Sequence, residues 1–211
     1  MYNFLKRILD IIGAIVALII CSPIMLVTVL AIKLNSTGPI LADTPERVGK
    51  NGKLFKMYKF RSMIMDAHYL LHNDPKFKRL FEEYQNSSYK LQNDPRVTRV
   101  GKFIRRFSID EMPQFFNVLN GEMSIVGPRA YYPDELEKQQ KVYPNAKEHV
   151  KIILSAKPGL TGLWQISGRS EINFDKRVEM DAVYVKRKSI LIDLIIILKT
   201  VPAVLFGKGA I

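Results

Sequence analysis

The chain has 211 residues and a formal charge of +12, from 32 Lys and Arg against 20 Asp and Glu. That length gives one domain, or one domain plus a membrane element, and the charge calls for an anionic partner: nucleic acid, anionic lipid or a phosphorylated substrate. An apolar fraction of 47% excludes wholesale disorder, and the single cysteine, Cys21, excludes an internal disulfide and a thiolate zinc site.

Residues 11–32, IIGAIVALIICSPIMLVTVLAI, carry no charge, a run of the length a spanning helix needs. Lys6 and Arg7 precede it as they would a signal peptide. No small-residue cleavage site with a polar mature start follows, so the segment is expected to stay in the membrane. Ser22-Pro23 lies at its centre, where proline removes a backbone donor and should kink or break the helix. Positive charge flanks both ends, Lys6 and Arg7 before and Lys33 through Arg61 after, and positive flanks stay on the cytoplasmic side. A re-entrant helix, entering and leaving on one side, satisfies both facts; a kinked spanning helix is the alternative.

Residues 36–61 hold turn signals at Gly38-Pro39 and at Lys50-Asn51-Gly52-Lys53, the second predicting a tight hairpin. Leu54 to Phe60 alternates as a strand should, and Lys59 and Arg61 at its end are either solvated edge charges or contacts for lipid headgroups or phosphate, with lipid favoured because the membrane segment is close. Residues 62–92 read as two helices separated near Asn73-Asp74-Pro75, a scaffold and lid. His68 and His72, one helical turn apart with no cysteine nearby, read as a solvated face. After a turn at Asn93-Asp94-Pro95-Arg96, VTRVGKFIRRFSI predicts an interfacial helix that buries Val100, Phe103, Ile104 and Phe107 and keeps Lys102, Arg105 and Arg106 at headgroup level.

Phe107 to Arg129, FSIDEMPQFFNVLNGEMSIVGPR, sets Asp110 beside Glu111. Ser108 and Glu111 fit a capping box, so a helix is expected to start here, with free N–H groups suited to an anion. The two acids are either ordinary first-turn residues or the centre of a site. Residues 131–150 read as polar helix. KPGLTGLWQISGRS reads as a compact loop with a short strand, carrying Trp164 and Arg169, and residues 174–188 as a charged helix. Most of that helix's charges are assigned to solvent, although Asp175, Arg177, Glu179 and Asp181 are placed to face a site. The last segment is apolar but interrupted by Asp193, Lys199 and Pro202, which suits an interfacial helix or one docked on the first membrane element.

An acidic pair framed by Arg105, Arg106 and Arg129 suits a phosphorylated substrate with a divalent cation. An aspartate can also serve as nucleophile, and arginines clamp phosphate oxygens in pairs. The fold class expected is α+β and mostly helical. Residues 1–35 form the membrane helix broken at Ser22-Pro23, and residues 36–211 form a cytosolic domain with a short β-hairpin and interfacial amphipathic helices. No nucleic-acid motif is present, which leaves lipid and phosphorylated substrate as the anionic partners.

RRFSIDEMPQFFNVLNGEMSIVGPRA at 105–130, KFRSM at 59–63 and PGLTGLWQISGR at 158–169 resemble the bacterial sugar transferases, the monotopic polyprenyl-phosphate phosphoglycosyl transferases. The resemblance runs from Lys6 to the C-terminal GKGA and is to the short form, without upstream spanning helices. The tail from Arg169 through Phe174-Asp175, Asp181 and Tyr184 is closer to exopolysaccharide and O-antigen initiating members than to the bacillosamine type. Glu122 stands where Asp is also common.

The resemblance implies a ping-pong reaction. Asp110 attacks the sugar-bearing phosphate of a UDP-sugar, UMP leaves, and polyprenyl (undecaprenyl) phosphate then takes the phosphosugar from the enzyme. It implies Mg²⁺ held by Asp110, with Glu111 as a metal-shell carboxylate or as base for the lipid phosphate. Arg129 binds substrate phosphate, Arg105 sits near the headgroups, and Asp181 matches a family acid near the site. Arg106 and Arg169 join the candidate phosphate and nucleotide contacts. The expected place is the cytoplasmic face of a bacterial inner membrane, among membrane lipids, as a monomer or homo-oligomer. Galactose, glucose and N-acetyl sugars all fit the donor. The alternative is a non-catalytic membrane-anchored protein that binds anionic lipid or joins an assembly.

Overall fold

A computed structural model of the chain describes residues 2–86, 91, 93–167 and 172–205. The fold is mostly helical with two small sheets, as expected. Helix α1 spans Tyr2–Asn35 with Pro23 inside it. The proline lacks the N–H that would bond the Ile19 carbonyl; instead Ser22 Oγ donates to that carbonyl at 2.8 Å. The Ser-Pro pair thus supplies from a side chain the donor its backbone lacks. Helix α1 is long and apolar enough to cross a membrane, and only 11% of its most apolar window is buried. Ile19, Ile20, Leu26 and Val27 stand exposed, a patch of the kind that marks contact with lipid or a partner.

Both halves of α1 pack on the rest of the chain. In the first half Asp10 is buried and accepts from Ser124 Oγ at 2.8 Å, from the Ile125 amide at 3.0 Å and from Lys6 at 3.1 Å. Arg7 donates to the carbonyls of Val118 and Leu119 at 2.6 and 2.8 Å. In the second half Ile32, with Met25 and Val29, packs against Phe60 and Ile104.

The predicted hairpin is present: β1 (Arg47–Val48) pairs antiparallel with β2 (Leu54–Phe55). Asn51 and Gly52 between them take positive φ, 57° and 79°, as such a turn requires. The chain stays extended to Arg61, but little of it pairs as a strand. Asn117, fully buried in the run QFFNVL, takes the place of a neighbouring strand, accepting from the Tyr58 amide at 2.9 Å and donating to the Lys56 carbonyl at 2.8 Å. Arg61 corrects the sequence reading. It is buried rather than at headgroups, and it donates to the carbonyls of Ser36 and Thr37 just beyond the end of α1, where a cation complements the helix dipole.

The described part of residues 64–96 forms a helical excursion. Helix α2 (Ala67–Asn73) and α3 (Lys78–Asn86) are separated at Asp74-Pro75 as predicted. The base of the excursion is zipped: the Thr98 amide donates to Ser62, the Ile64 amide to Arg96, and Met63 bridges Val97. Arg96 is pinned there by Asp94 at 2.6 Å and by the Ala67 carbonyl at 2.7 Å.

Helix α4 (Arg99–Arg106) is capped by Thr98, and Gly101 lies so close to the Ser62 carbonyl that no Cβ would fit. Ile104 is buried within the fold against Ile32 and Phe60 rather than left for a membrane surface, and Phe103 is exposed. Helix α5 (Gln114–Leu119) leads to β3 (Ser124–Val126). Helices α6 (Pro133–Val142) and α7 (Lys147–Ile153) follow, then β4 (Gly159–Thr161), which pairs parallel with β3. Gly127 and Gly159 pass so closely that a Cβ on either would meet backbone. Short α8 (Leu163–Ile166), α9 (Phe174–Arg187) and α10 (Ile190–Leu205) complete the described chain. The main core lies between α6, α7 and α9 around Tyr131, Phe174 and Val178. Helix α10 docks on α9 and β3 through Ile196 and Tyr184, and Asp193 accepts from Tyr184 at 2.6 Å and pairs with Lys6 at 3.2 Å.

Asp10→Ala leaves the Ser124 hydroxyl, the Ile125 amide and Lys6 without their acceptor. It should cost about 3 kcal/mol, read as a Tm drop of roughly 6–12 °C in detergent. Asp43→Ala, which breaks an exposed pair with Lys56, should leave Tm unchanged.

Candidate functional site

Helix α4 ends at Arg106, and Ser108 takes the left-handed region with φ 55°. The chain then makes a single tight turn over Ile109–Glu111, and α5 begins only at Gln114. The capping box expected at Ser108 and Glu111 therefore does not form: the Ser108 side chain caps nothing. A non-glycine residue in this region carries strain of order 1 kcal/mol, which proteins tend to keep at working sites. The Phe60 amide donates to the Asp110 carbonyl at 2.9 Å, tying this turn to the extended segment that carries Lys59.

Asp110 is buried, and its carboxyl is pushed up to about 6. Burial is the main cause and the neighbouring Glu111 adds to it; Lys59 and Arg105 pull the other way. Glu111 differs. Burial works against its charge, but Lys59 Nζ sits 2.6 Å from its Oε1 and, with Arg129 and Arg47, holds it below the usual carboxylate range. Two adjacent carboxylates are thereby set apart, Glu111 held toward its charged form and Asp110 pushed toward its protonated one. Among the described residues, Lys59 pairs with Glu111 and not with Asp110.

These groups line one large open cavity of about 960 Å³. Lys59, Arg105, Asp110, Glu111 and Arg129 share it with Arg47, Tyr132 and Trp164, and residues of α2 and α3, among them His68 and Tyr84, form another wall. Arg47 stacks on Tyr132, 3.2 Å from the ring centroid, and donates to the Ala130 carbonyl at 3.1 Å. Burial would raise the Tyr132 phenol, but Arg47 and Lys59 hold it below its ordinary value.

Arg129 enters the cavity from the loop after β3. Its amide donates to Asp181 Oδ2 at 2.8 Å, and its guanidinium lies 5.0 Å from the Trp164 ring. Asp181 itself is fully buried under that loop and is not part of the cavity wall, so the structure sets it against the Arg129 backbone. Its carboxyl is pushed up to about 7 by burial. Arg177 is also buried, 5.2 Å from the same Trp164 ring. Asp181 and Arg177 thus lie inside a helix face that the sequence reading had assigned mostly to solvent, while Asp175 is exposed.

Of the residues singled out from the sequence, Asp110, Glu111, Arg105 and Arg129 meet in one place. Arg106 does not: it is exposed outside the cavity wall, 5.6 Å from the Phe107 ring. Arg169 lies outside the described residues, and Ser22 and Pro23 sit on the exposed part of α1. Sequence reasoning sent Lys59 to lipid when its partner is Glu111, and it passed over Arg47, Tyr132 and Asn117. Asn117 left a readable trace, a lone amide within an apolar run, which asks for a buried hydrogen-bond partner. Among the described residues no three ligating side chains cluster for a metal. The donor set of two adjacent carboxylates suits Mg²⁺, which keeps its waters and completes its shell with substrate phosphates.

The sequence profile described as bacterial sugar transferase matches residues 1–207. The chain is 46% identical over 212 residues to the undecaprenyl-phosphate galactose phosphotransferase of Salmonella typhimurium, covering 99% of this chain and 42% of that protein. It is 43% identical over 205 residues to the exopolysaccharide production protein ExoY of Sinorhizobium fredii, covering 97% and 87%. It is 36% identical over 215 residues to the UDP-N-acetylgalactosamine-undecaprenyl-phosphate N-acetylgalactosaminephosphotransferase of Aeromonas hydrophila, covering 99% and 45%. The chain therefore spans less than half the length of the Salmonella and Aeromonas relatives.

Proposed function

Since the chain belongs to the bacterial sugar transferase family, we propose that it transfers a phospho-sugar from a UDP-sugar to undecaprenyl phosphate and releases UMP. The observation that carries this reading is the meeting of Asp110, Glu111, Lys59, Arg105 and Arg129 in one cavity. The names of the relatives pair undecaprenyl phosphate with galactose and with N-acetylgalactosamine, which supports the acceptor and the class of donor.

In the first step an Asp110 carboxylate oxygen attacks the sugar-bearing phosphorus. The bond from that phosphorus to the bridging oxygen breaks, and UMP departs with the bridging oxygen. In the second, an oxygen of undecaprenyl phosphate attacks the same phosphorus, the aspartyl–phosphorus bond breaks, and Asp110 is restored as a carboxylate. Arg105 and Arg129 neutralise phosphate oxygens, and positioning with charge neutralisation does most of the work in such transfers. Lys59 keeps Glu111 ionised and oriented toward the cavity. Asp110 with Glu111 would hold Mg²⁺, which when bound withdraws charge from the diphosphate.

One substrate dissolves in water and the other stays in the bilayer, so the cavity belongs at headgroup depth on the cytoplasmic face of the inner membrane. The exposed apolar face of α1 and the docking of both its halves on the catalytic part support a re-entrant course, bent at Ser22-Pro23.

With a panel of UDP-sugars, undecaprenyl phosphate and Mg²⁺, one sugar should drive UMP release. Asp110→Asn should lower it by at least about a thousandfold with Tm retained, and EDTA should stop it; a binding or assembly protein would be indifferent to both. Because a protonated carboxyl is no nucleophile, release should fall as pH drops through about 6. Arg105→Met, which removes a cation that favours the charged form, should move that limb upward. New cysteines at Asn3 and Ser36 should label from the same side; labelling from opposite sides would favour a spanning helix.

A further inference from the structure

A second cationic centre lies at the N-terminal end of α1, and none of its residues belongs to the wall of the catalytic cavity. Lys157 Nζ and Arg7 Nη2 overhang one spot: a Cβ built on Gly121 would sit 3.4 Å from the first and 3.7 Å from the second. Arg7 is held there by its bonds to the Val118 and Leu119 carbonyls. The Asn51 amide donates to the Leu154 carbonyl at 2.7 Å, which sets Lys50 beside the segment that carries Lys157; Lys157 and Lys188 both feel Lys50, and Lys188 lies 5.7 Å from the Tyr2 ring. Burial lowers the ammonium groups of Lys157 and Lys188, and their cationic neighbours lower them further.

Among the described residues no carboxylate comes within 4 Å of Arg7, Lys50, Lys157 or Lys188. The two acids that face the cluster are already engaged. Asp10 is taken up by Ser124, Ile125 and Lys6, and Asp193 by Tyr184, Tyr2 and Lys6. Cations held this close without counter-charge repel one another, and an anion seated among them would relieve that repulsion. Close by, Phe4 and Ile8 of α1 and Leu191 and Leu194 of α10 are exposed, although large apolar side chains prefer burial. Apolar side chains bordering a basic cluster are the pattern of a membrane surface that carries negative headgroups.

We propose that Arg7, Lys50, Lys157 and Lys188 hold the phosphodiester headgroup of an anionic membrane phospholipid, at a site separate from the one that contains Asp110. Its acyl chains would follow the exposed faces of α1 and α10. The inference rests on α1 meeting a bilayer and is independent of the transfer chemistry.

The test uses the full chain in neutral detergent, with binding read from the rise in Tm on titration. Dioctanoyl phosphatidylglycerol is expected to bind and to stabilise. Lys157→Gln with Lys188→Gln should weaken that binding about tenfold or more, and exposed Lys50→Gln, which carries no risk to the fold, should weaken it several-fold. Lys138→Gln with Lys151→Gln, which changes two exposed lysines elsewhere, should leave it as in the unaltered chain. UMP release by the Lys157/Lys188 variant should stay within about twofold in detergent, so failure of the transferase reading would show separately as no release by any form. Equal binding by the Lys157/Lys188 variant, equal weakening by the Lys138/Lys151 variant, or stabilisation by inorganic phosphate matching that by the lipid would each overturn the proposal.

Discussion

The architecture depends on one carboxylate that has no business in an apolar helix. Asp10 lies in α1, beside a long run of exposed apolar residues, and it is almost fully buried. A charge in such a place is tolerable only if its oxygens are fully used, and the donors that use them come from β3 and from Lys6. This fixes both the rotation and the height of the membrane helix relative to β3. Three residues beyond that strand is Arg129, whose amide is fixed by Asp181. The position of Arg129 in the cavity wall relative to the long apolar helix is therefore set through a short, stiff route: helix, buried carboxylate, strand, arginine. Lys6 extends the route to α10, because it also pairs with Asp193.

The second constraint is electrostatic. The cavity is lined by cations and holds two adjacent carboxylates, on which those cations do not act equally. Giving Lys59 to Glu111 sets the two apart. Glu111 absorbs the nearest cation, and Asp110, buried beside it, keeps a carboxyl whose proton affinity is raised rather than lowered. Carboxylates in contact whose environments push them apart are the usual way two like groups acquire different tasks.

The parts of this fold that were legible in the sequence are those decided by near neighbours. The apolar run of α1, the Asn51-Gly52 turn and the break between α2 and α3 at Asp74-Pro75 follow from local chemistry. The acidic pair and the arginines at 105 and 129 were found because their motif is contiguous. What failed depended on contacts far along the chain. Arg61 looks like an edge charge until the carbonyls at the end of α1 arrive beside it. Lys59 looks bound for lipid until the Asp110 turn folds back on it. Ser108 and Glu111 have the spacing of a capping box, yet the chain there turns left-handed, because the Phe60 amide claims the Asp110 carbonyl and holds the turn against the extended segment. Asp181 is a different case: the family resemblance singles it out, and its burial against the Arg129 amide separates it from exposed Asp175.

The zipped base of the excursion has a consequence for how such a chain can diversify. Ser62 to Ile64 and Arg96 to Thr98 lie side by side, so the chain leaves and re-enters the body at nearly one point. A loop whose ends already meet can gain or lose residues at little thermodynamic cost, since closure entropy grows only slowly with length. The rungs at 62–64 and 96–98 hold the two ends of the excursion together, while α2 and α3 form part of the cavity wall. The fold thus joins the excursion to the body at a seam of three residues on each side, where a change of length costs little closure entropy.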